Sequence, residues 1–281
     1  MSTGSGVAHG AVSILNALAT GRGCALAVSL QTRARVETGR DLKGVEARAW
    51  GPEGPVDPRL ALLAARNALR RAGHRVGARV QVKSEVPTAR GLKSSSAAAN
   101  AVVAATLDAL NARLPVREAV LLGVEAAREA GVTVTGALDD AWASAAGGLA
   151  YTDNRRDRLL RAGEVRARVL VLVPPQRPAG VRRRELGPVA PLVRRAEALV
   201  RERRYPEAMT LNGLACSAAL GYDPRASLVA LSHGAPGAGL SGTGPSVAAI
   251  VDGRTDAGAI EEAWAPLGRV LRLRTVPRRK R

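Results

Sequence analysis

An interior without phenylalanine has to be assembled from alanine, valine and leucine, because aromatic residues make up 2% of this 281-residue chain while 46% of it is hydrophobic. That hydrophobic share is what a packed core requires, and it excludes wholesale disorder. The length suits one large domain or two modest ones, at about 100 to 200 residues each. So few rings also argue against a surface that works by stacking on bases. Two cysteines, Cys24 and Cys216, cannot form a disulfide framework and fit a reducing compartment.

The charge narrows the partners. Of 42 basic side chains only Lys43, Lys83, Lys93 and Lys280 are lysines, and against 24 acids the balance is a formal net charge of +18. Such a field can release counterions from nucleic acid or draw in a small anionic substrate. The arginines come in scattered pairs, as at Arg70 and Arg71, Arg155 and Arg156, Arg194 and Arg195, and Arg203 and Arg204. That pattern describes solvated faces rather than one binding stripe and argues against nucleic acid as a partner. The longest apolar run, 97–112, is interrupted by Asn100, Asp108 and Asn111. It falls short of the roughly 18 residues of a spanning segment, so no membrane partner is expected. No lysine or arginine precedes the first apolar stretch, which contains His9 and Asn16. A secretory signal is therefore not expected, and a cytoplasmic location is.

Breaker residues at 51–58 separate a strand-like opening from 59–72, whose apolar positions recur at helical spacing. Residues 78–86 alternate, with Val80, Val82 and Val86 on one face, the period of a half-buried strand. A short loop, 87–93, leads into 94–110, an alanine-rich stretch free of glycine and proline that predicts a buried helix. Pro115 opens a further helix that Gly131 stops. Composition changes most sharply at 151–163, where aspartate and arginine crowd out apolar residues, which predicts domains of 1–155 and 156–281. Beyond it, 165–173, 247–251 and 270–276 predict strands, 189–203, 205–220 and 256–265 helices, and 234–244 a glycine-rich loop. Helices mixed with antiparallel strands make the second domain α+β.

The chemistry concentrates in two places. Pro87, Thr88, Ala89, Arg90, Gly91, Leu92, Lys93, Ser94, Ser95, Ser96 and Ala97 lie where the strand gives way to the helix. A helix start presents unpaired N–H groups and the positive end of its dipole, which suits a phosphate. Gly91 lets backbone approach a ligand with no Cβ in the way, and Lys93 adds a point charge. The serines can donate to phosphate oxygens or ligate Mg²⁺. A serine-capped helix after an ordinary turn is the plain alternative. The second place is Asp139 and Asp140, adjacent acids in an apolar segment that cost too much to bury without a task. Orienting or deprotonating an accepting hydroxyl is such a task. Gly237, Gly239 and Gly242 also satisfy the dinucleotide fingerprint, but that needs a helix after the loop, and Pro245 with the run VAAIV predicts a strand.

PTARGLKSSSAAANA resembles the second motif of the GHMP kinases, Pro-x-x-x-Gly-Leu-x-Ser-Ser-Ala. The opening GVAHGAVSILNALATGRG, residues 6–23, is similar to the first motif of the archaeal-type shikimate kinases of that superfamily, and GLSGTGPS, residues 239–246, resembles the third. With GALDDA at 136–141, the three motifs stand in the right order across nearly the whole chain. The resemblance implies a two-domain α+β GHMP kinase fold, with an N-terminal domain like the second domain of ribosomal protein S5 and a ferredoxin-like C-terminal domain. It implies ATP and Mg²⁺ in the cleft between them, and shikimate as the substrate phosphorylated on its 3-hydroxyl, a step towards chorismate and the aromatic amino acids.

On that resemblance the amides of 91–96 and Lys93 hold phosphates, Ser95 and Glu129 hold the metal, and Asp140 or Asp139 engages the substrate hydroxyl. Gly239, Ser241, Gly242 and Gly244 support the phosphate loop, and some arginine clamps the carboxylate. Spacing to Gly147 and Gly148 favours Asp140, while spacing from Gly136 favours Asp139. Lys93 replaces the glycine of many GHMP kinases, as it does in the shikimate branch. Homoserine, mevalonate and pantoate are the alternative acceptors, and a basic nucleic-acid-binding protein is the alternative class.

Overall fold

The computed structural model describes residues 1–133, 135–176 and 183–279. Strands β1 (Ser2–Leu15), β2 (Arg22–Gly39), β3 (Val45–Gly51), β4 (Gly54–Val56), β5 (Gly77–Ser84), β6 (Leu149–Asp153) and β7 (Arg158–Gly163) make a first sheet. Its order is β4-β3-β5-β2-β6-β7, and β1 lies antiparallel to β2. Strands β8 (Arg168–Val173), β9 (Gly237–Leu240), β10 (Val247–Val251) and β11 (Arg269–Arg274) make a second, antiparallel sheet in the order β11-β8-β10-β9. The helices are α1 (Ala17–Thr20), α2 (Arg59–Arg71), α3 (Ser94–Ala109), α4 (Val116–Glu129), α5 (Leu138–Ala146), α6 (Ala190–Arg201), α7 (Tyr205–Leu220), α8 (Arg225–Ser232) and α9 (Ala257–Trp264).

The ring-poor interior is closed by bringing backbones together. A Cβ on Gly4 or Gly6 of β1 would stand 2.1 Å from the backbone of α3, at Ala109 N and Ala101 O, so helix and strand touch with no side chain between them. In the second half the same device recurs, since a Cβ on Gly213 of α7 would meet Gly239 Cα of β9 at 2.3 Å. Close approach restores the dispersion contacts that small side chains could not reach across a wider gap. A core of Ala64, Ala65, Ala68, Val80, Val82, Ala101 and Val102 fills the first half. Val12, Ile14 and Leu26 of the first sheet pack in one cluster with Val171, Met209 and Ile250 of the second half, so the two halves share an apolar seam.

Three expectations about organisation need correcting. The boundary at 155/156 falls in the turn between β6 and β7, which are one antiparallel hairpin of the first sheet. The charged stretch is the tip of that hairpin, where Arg128 of α4 pairs with Asp157 at 2.7 Å, and polar turn residues mimic a linker in composition. The second sheet starts only at β8. Within the glycine-rich 234–244 stretch, β9 pairs with β10 from Gly237 to Leu240, so a strand precedes the tight loop as well as following it. The last expected strand, 270–276, ends at Arg274. Beyond it Thr275 N donates to Ala167 O, and Val276 N to Ala27 O of β2, which carries the chain back onto the first sheet. No helix among the described residues is long and apolar enough to cross a membrane. Lys280 lies outside the described residues.

Candidate active site

The loop between β5 and α3 takes an unusual path. Ala89, Gly91 and Lys93 all have positive φ, at 54°, 76° and 68°. For the two non-glycine residues that left-handed conformation costs about 1–3 kcal/mol each, so the surroundings must hold it. At Gly91 a side chain is excluded outright, because a Cβ there would lie 2.0 Å from Ser241 O. Lys93 occupies the position before α3, and no side chain caps the helix. The serine cap of the plain alternative is absent from this helix start, and the first-turn amides of Ser94 to Ser96 are left for an external acceptor.

Three sequence-distant segments are stitched around this loop. Ser13 of β1 accepts from Lys93 Nζ at 2.8 Å and from Gly242 N at 2.9 Å. Ser241 donates its Oγ hydrogen to Gly91 O at 2.8 Å and accepts from Ser13 N at 3.1 Å. Asn16, at the end of β1, donates to Gly242 O at 2.8 Å, while its own N–H donates to Asn212 Oδ1 of α7 at 2.9 Å. The loop therefore rests on fixed partners from both halves of the molecule. Gly239 packs against α7 and Gly244 against Tyr222, so these two serve the backbone's close approach, whereas Gly242 and Thr243 face the space beside Lys93.

That space is a cavity of ≈ 300 Å³ bordered by the loop, by Asn16 and Leu18, by Thr133 and Thr135, and by Asp139 and Asp140 at the start of α5. The two acids differ. Asp139 is 3% exposed; its Oδ1 accepts from Asn154 Nδ2 at 2.9 Å, and a Cβ on Gly23 would strike its carboxyl at 2.4 Å. Burial and then the neighbouring Asp140 push its pKa up to about 7, against the pull of Lys93 and Asn154. Asp140 has Oδ1 3.2 Å from Lys93 Nζ, with side chains 15% and 9% exposed. Burial raises its pKa too, and the lysine charge opposes that rise. The pair is close but not aligned as a hydrogen bond, so Oδ1 has no aligned donor among the described residues. A carboxylate with a free lone pair at a cavity wall can accept a proton from a hydroxyl placed there.

The remaining expected residues distribute as follows. Ser94, Ser95, Ser96, Ala89 and Arg90 line the cavity. Arg90 donates to Pro175 O at 3.2 Å and keeps a buried Nη1 without a partner. Pro87, Leu92 and Ala97 are buried packing residues, and Thr88 lies by Gly51. Glu129 is not brought to the site: from the end of α4 its Oε1 accepts from Asn67 Nδ2 of α2 at 3.0 Å, while Ala127 lines the cavity instead. On a helix a shift of two residues turns a side chain by about 200°, which spacing in sequence could not resolve. Ser13, Asn16, Thr135 and Asn154 carry no local sequence signal of their own. Ser13 and Asn16 lie inside the opening motif, but Asn154 reaches Asp139 only because the β6–β7 turn folds back over α5.

The description "GHMP kinases N terminal domain" matches residues 59–148, and "GHMP kinases C terminal" matches 226–268. A shikimate kinase of Methanosarcina acetivorans is 44% identical over 94% of this chain and 90% of its own length. The chain belongs to the GHMP kinase family. A shikimate kinase of Halobacterium salinarum is 47% identical over 89% of the chain and 88% of its own length. The solved mevalonate kinase of Methanococcus jannaschii superposes on this GHMP kinase with a TM-score of 0.77 at 14% identity, covering 97% of this chain and 98% of that one, which establishes the shared fold. As a member of the family the protein is an ATP-dependent small-molecule kinase.

Proposed function

We propose that this GHMP kinase transfers the terminal phosphoryl group of ATP to the 3-hydroxyl of shikimate. Its relatives' names support the acceptor. The observation that carries the chemistry is Asp140 Oδ1 standing 3.2 Å from Lys93 Nζ on the same cavity wall as the uncapped amides of α3. Phosphoryl transfer asks the protein for positioning and charge more than for covalent chemistry. The first-turn amides and Lys93 hold phosphate oxygens, with Arg90 the other cation lining the cavity. Asp140 orients the accepting hydroxyl and takes its proton. Lys93 favours the ionised form of Asp140 that this requires, and Ser13 fixes the ammonium between its neighbours.

Asp139 supports rather than reacts, held by Asn154 against β2. The donor set of serine hydroxyls with one carboxylate fits Mg²⁺, which keeps much of its shell for phosphate and water. Among the described residues no cluster of three acids, histidines or cysteines could hold it alone. Ser95 and Asp140 would hold the ion, which when bound neutralises phosphate charge. Both cysteines are unpaired and buried, in keeping with a reducing, cytoplasmic setting.

Release of ADP with shikimate, homoserine, mevalonate and pantoate as separate acceptors tests the reading. Turnover is expected with shikimate. Turnover with another acceptor and none with shikimate would overturn it.

A further inference from the structure

Helices α3 and α5 each run from the catalytic cavity to a second, larger cavity at their other ends. On α3, Ser94 to Ser96 face the first and Val103 and Leu107 the second; on α5, Asp139 and Asp140 face the first and Trp142 and Ala146 the second. The second cavity measures ≈ 770 Å³ and is closed on another side by Val120 of α4. That is the size of a site for a small organic molecule.

One part of its wall is apolar, formed by Val103, Leu107, Leu114, Val120 and Trp142, and the rest is polar, with Asn100, Asn111 and three arginines. Arg113, Arg278 and Arg279 border it, and none of the three has a carboxylate partner among the described residues. The lining acid, Asp108, is already engaged, accepting from Ser5 N at 2.8 Å. The main chain that carries the two later arginines is tied down: Arg279 N donates to Ala146 O and Gly148 N to Val276 O, each at 2.9 Å. This clips residues 276–279 to the last turn of α5. The indole Nε1 of Trp142, in the wall, is buried without an acceptor. A cavity with an apolar wall on one side and exposed guanidiniums on its rim suits a ligand with an apolar body and an anionic end, since carboxylates match the guanidinium fork.

We propose that this second cavity is an effector site for a small organic acid with an apolar body, whose binding alters turnover through α5. The site stands apart from the kinase reading, while the effect on turnover rests on it.

The test uses the full chain and 3-phenylpropionate, with 3-phenylpropan-1-ol as the uncharged control, read by isothermal titration calorimetry and by ADP release. One-to-one binding is expected, undiminished by saturating ATP, and weakened at least tenfold for the alcohol and for the double variant Arg278→Gln with Arg279→Gln. Basal turnover of that variant should be unchanged, with the acid altering turnover of the wild type alone. Ala104→Trp, which fills the chamber, should also abolish binding while thermal unfolding reports that the variant is folded. No binding at millimolar probe, displacement by ATP, binding that survives both variants, or binding that leaves turnover unmoved would each overturn the proposal. If no acceptor is phosphorylated, the calorimetric arms still decide the site, so its failure is separable from that of the kinase assignment.

Discussion

At the end of α3 and α5 where their N termini meet, most of the polar side chains are held by others: Lys93 by Ser13 and Asp140, Ser241 by Gly91 and Ser13, Asp139 by Asn154. At the other end, the guanidiniums of Arg113, Arg278 and Arg279 border a second cavity and have no carboxylate partner among the described residues, the lining Asp108 accepting from Ser5 N instead. Helix polarity separates the two. First-turn amides attract anions and favour acids such as Asp139 and Asp140, whereas last-turn carbonyls favour cations such as Arg279 by Ala146. The catalytic end is organised before any ligand arrives, and such preorganisation lets charge be stabilised without rearrangement during the reaction.

Breaking the organised end should show the contrast most strongly. Asp140→Asn removes the proposed proton acceptor and keeps the shape, and kcat for ADP release should fall by about 10²–10⁴-fold with the far-UV spectrum unchanged. Lys93→Met should cost about tenfold or more in kcat/KM. With the neighbouring cation gone, the pKa of Asp140 rises, so the acidic limb of the pH–rate profile should move to higher pH. Gly91→Ala forces a Cβ against Ser241 O in a left-handed backbone, and its melting temperature should drop by at least about 2 °C per kcal/mol of clash.

Asp139 sharpens the comparison in the opposite direction. Its native pKa of about 7 lies above the ordinary 3.8, so the folded state holds a proton that the unfolded state releases. Stability therefore declines as pH rises from about 4 to about 7, and the penalty is complete above the native value. Asp139→Asn should raise the melting temperature at pH 8 and lose that advantage towards pH 4. The smallest effect belongs to the unorganised end, where Arg278→Gln with Arg279→Gln should leave kcat and KM for ATP unchanged in the absence of an added acid.

Much of the catalytic end was legible from local signals. The run from Gly91 to Ala109 reads as a turn entering an alanine helix because conformational preference and dipole depend on near neighbours, and the structure places α3 there. The adjacent acids stood out because charge inside an apolar segment is costly. What was missed depends on distance in space. Asn154 and Asp139 are 15 residues apart and meet through a hairpin whose charged tip resembled a linker. Glu129 carried the right residue type on the right helix, yet the turn of that helix gives it to Asn67. The far cavity had no signal at all, since its walls come from β1, α3, α4, α5 and the chain's return after β11.

The order of the amino acids therefore decided which stretches would be helix, strand or glycine turn, and which side chains could carry phosphate chemistry. It left open which of two neighbouring aspartates would meet the lysine. Folding chose Asp140 because one step along α5 rotates a carboxylate by about 100°, enough to send one acid towards Lys93 and the other towards Asn154.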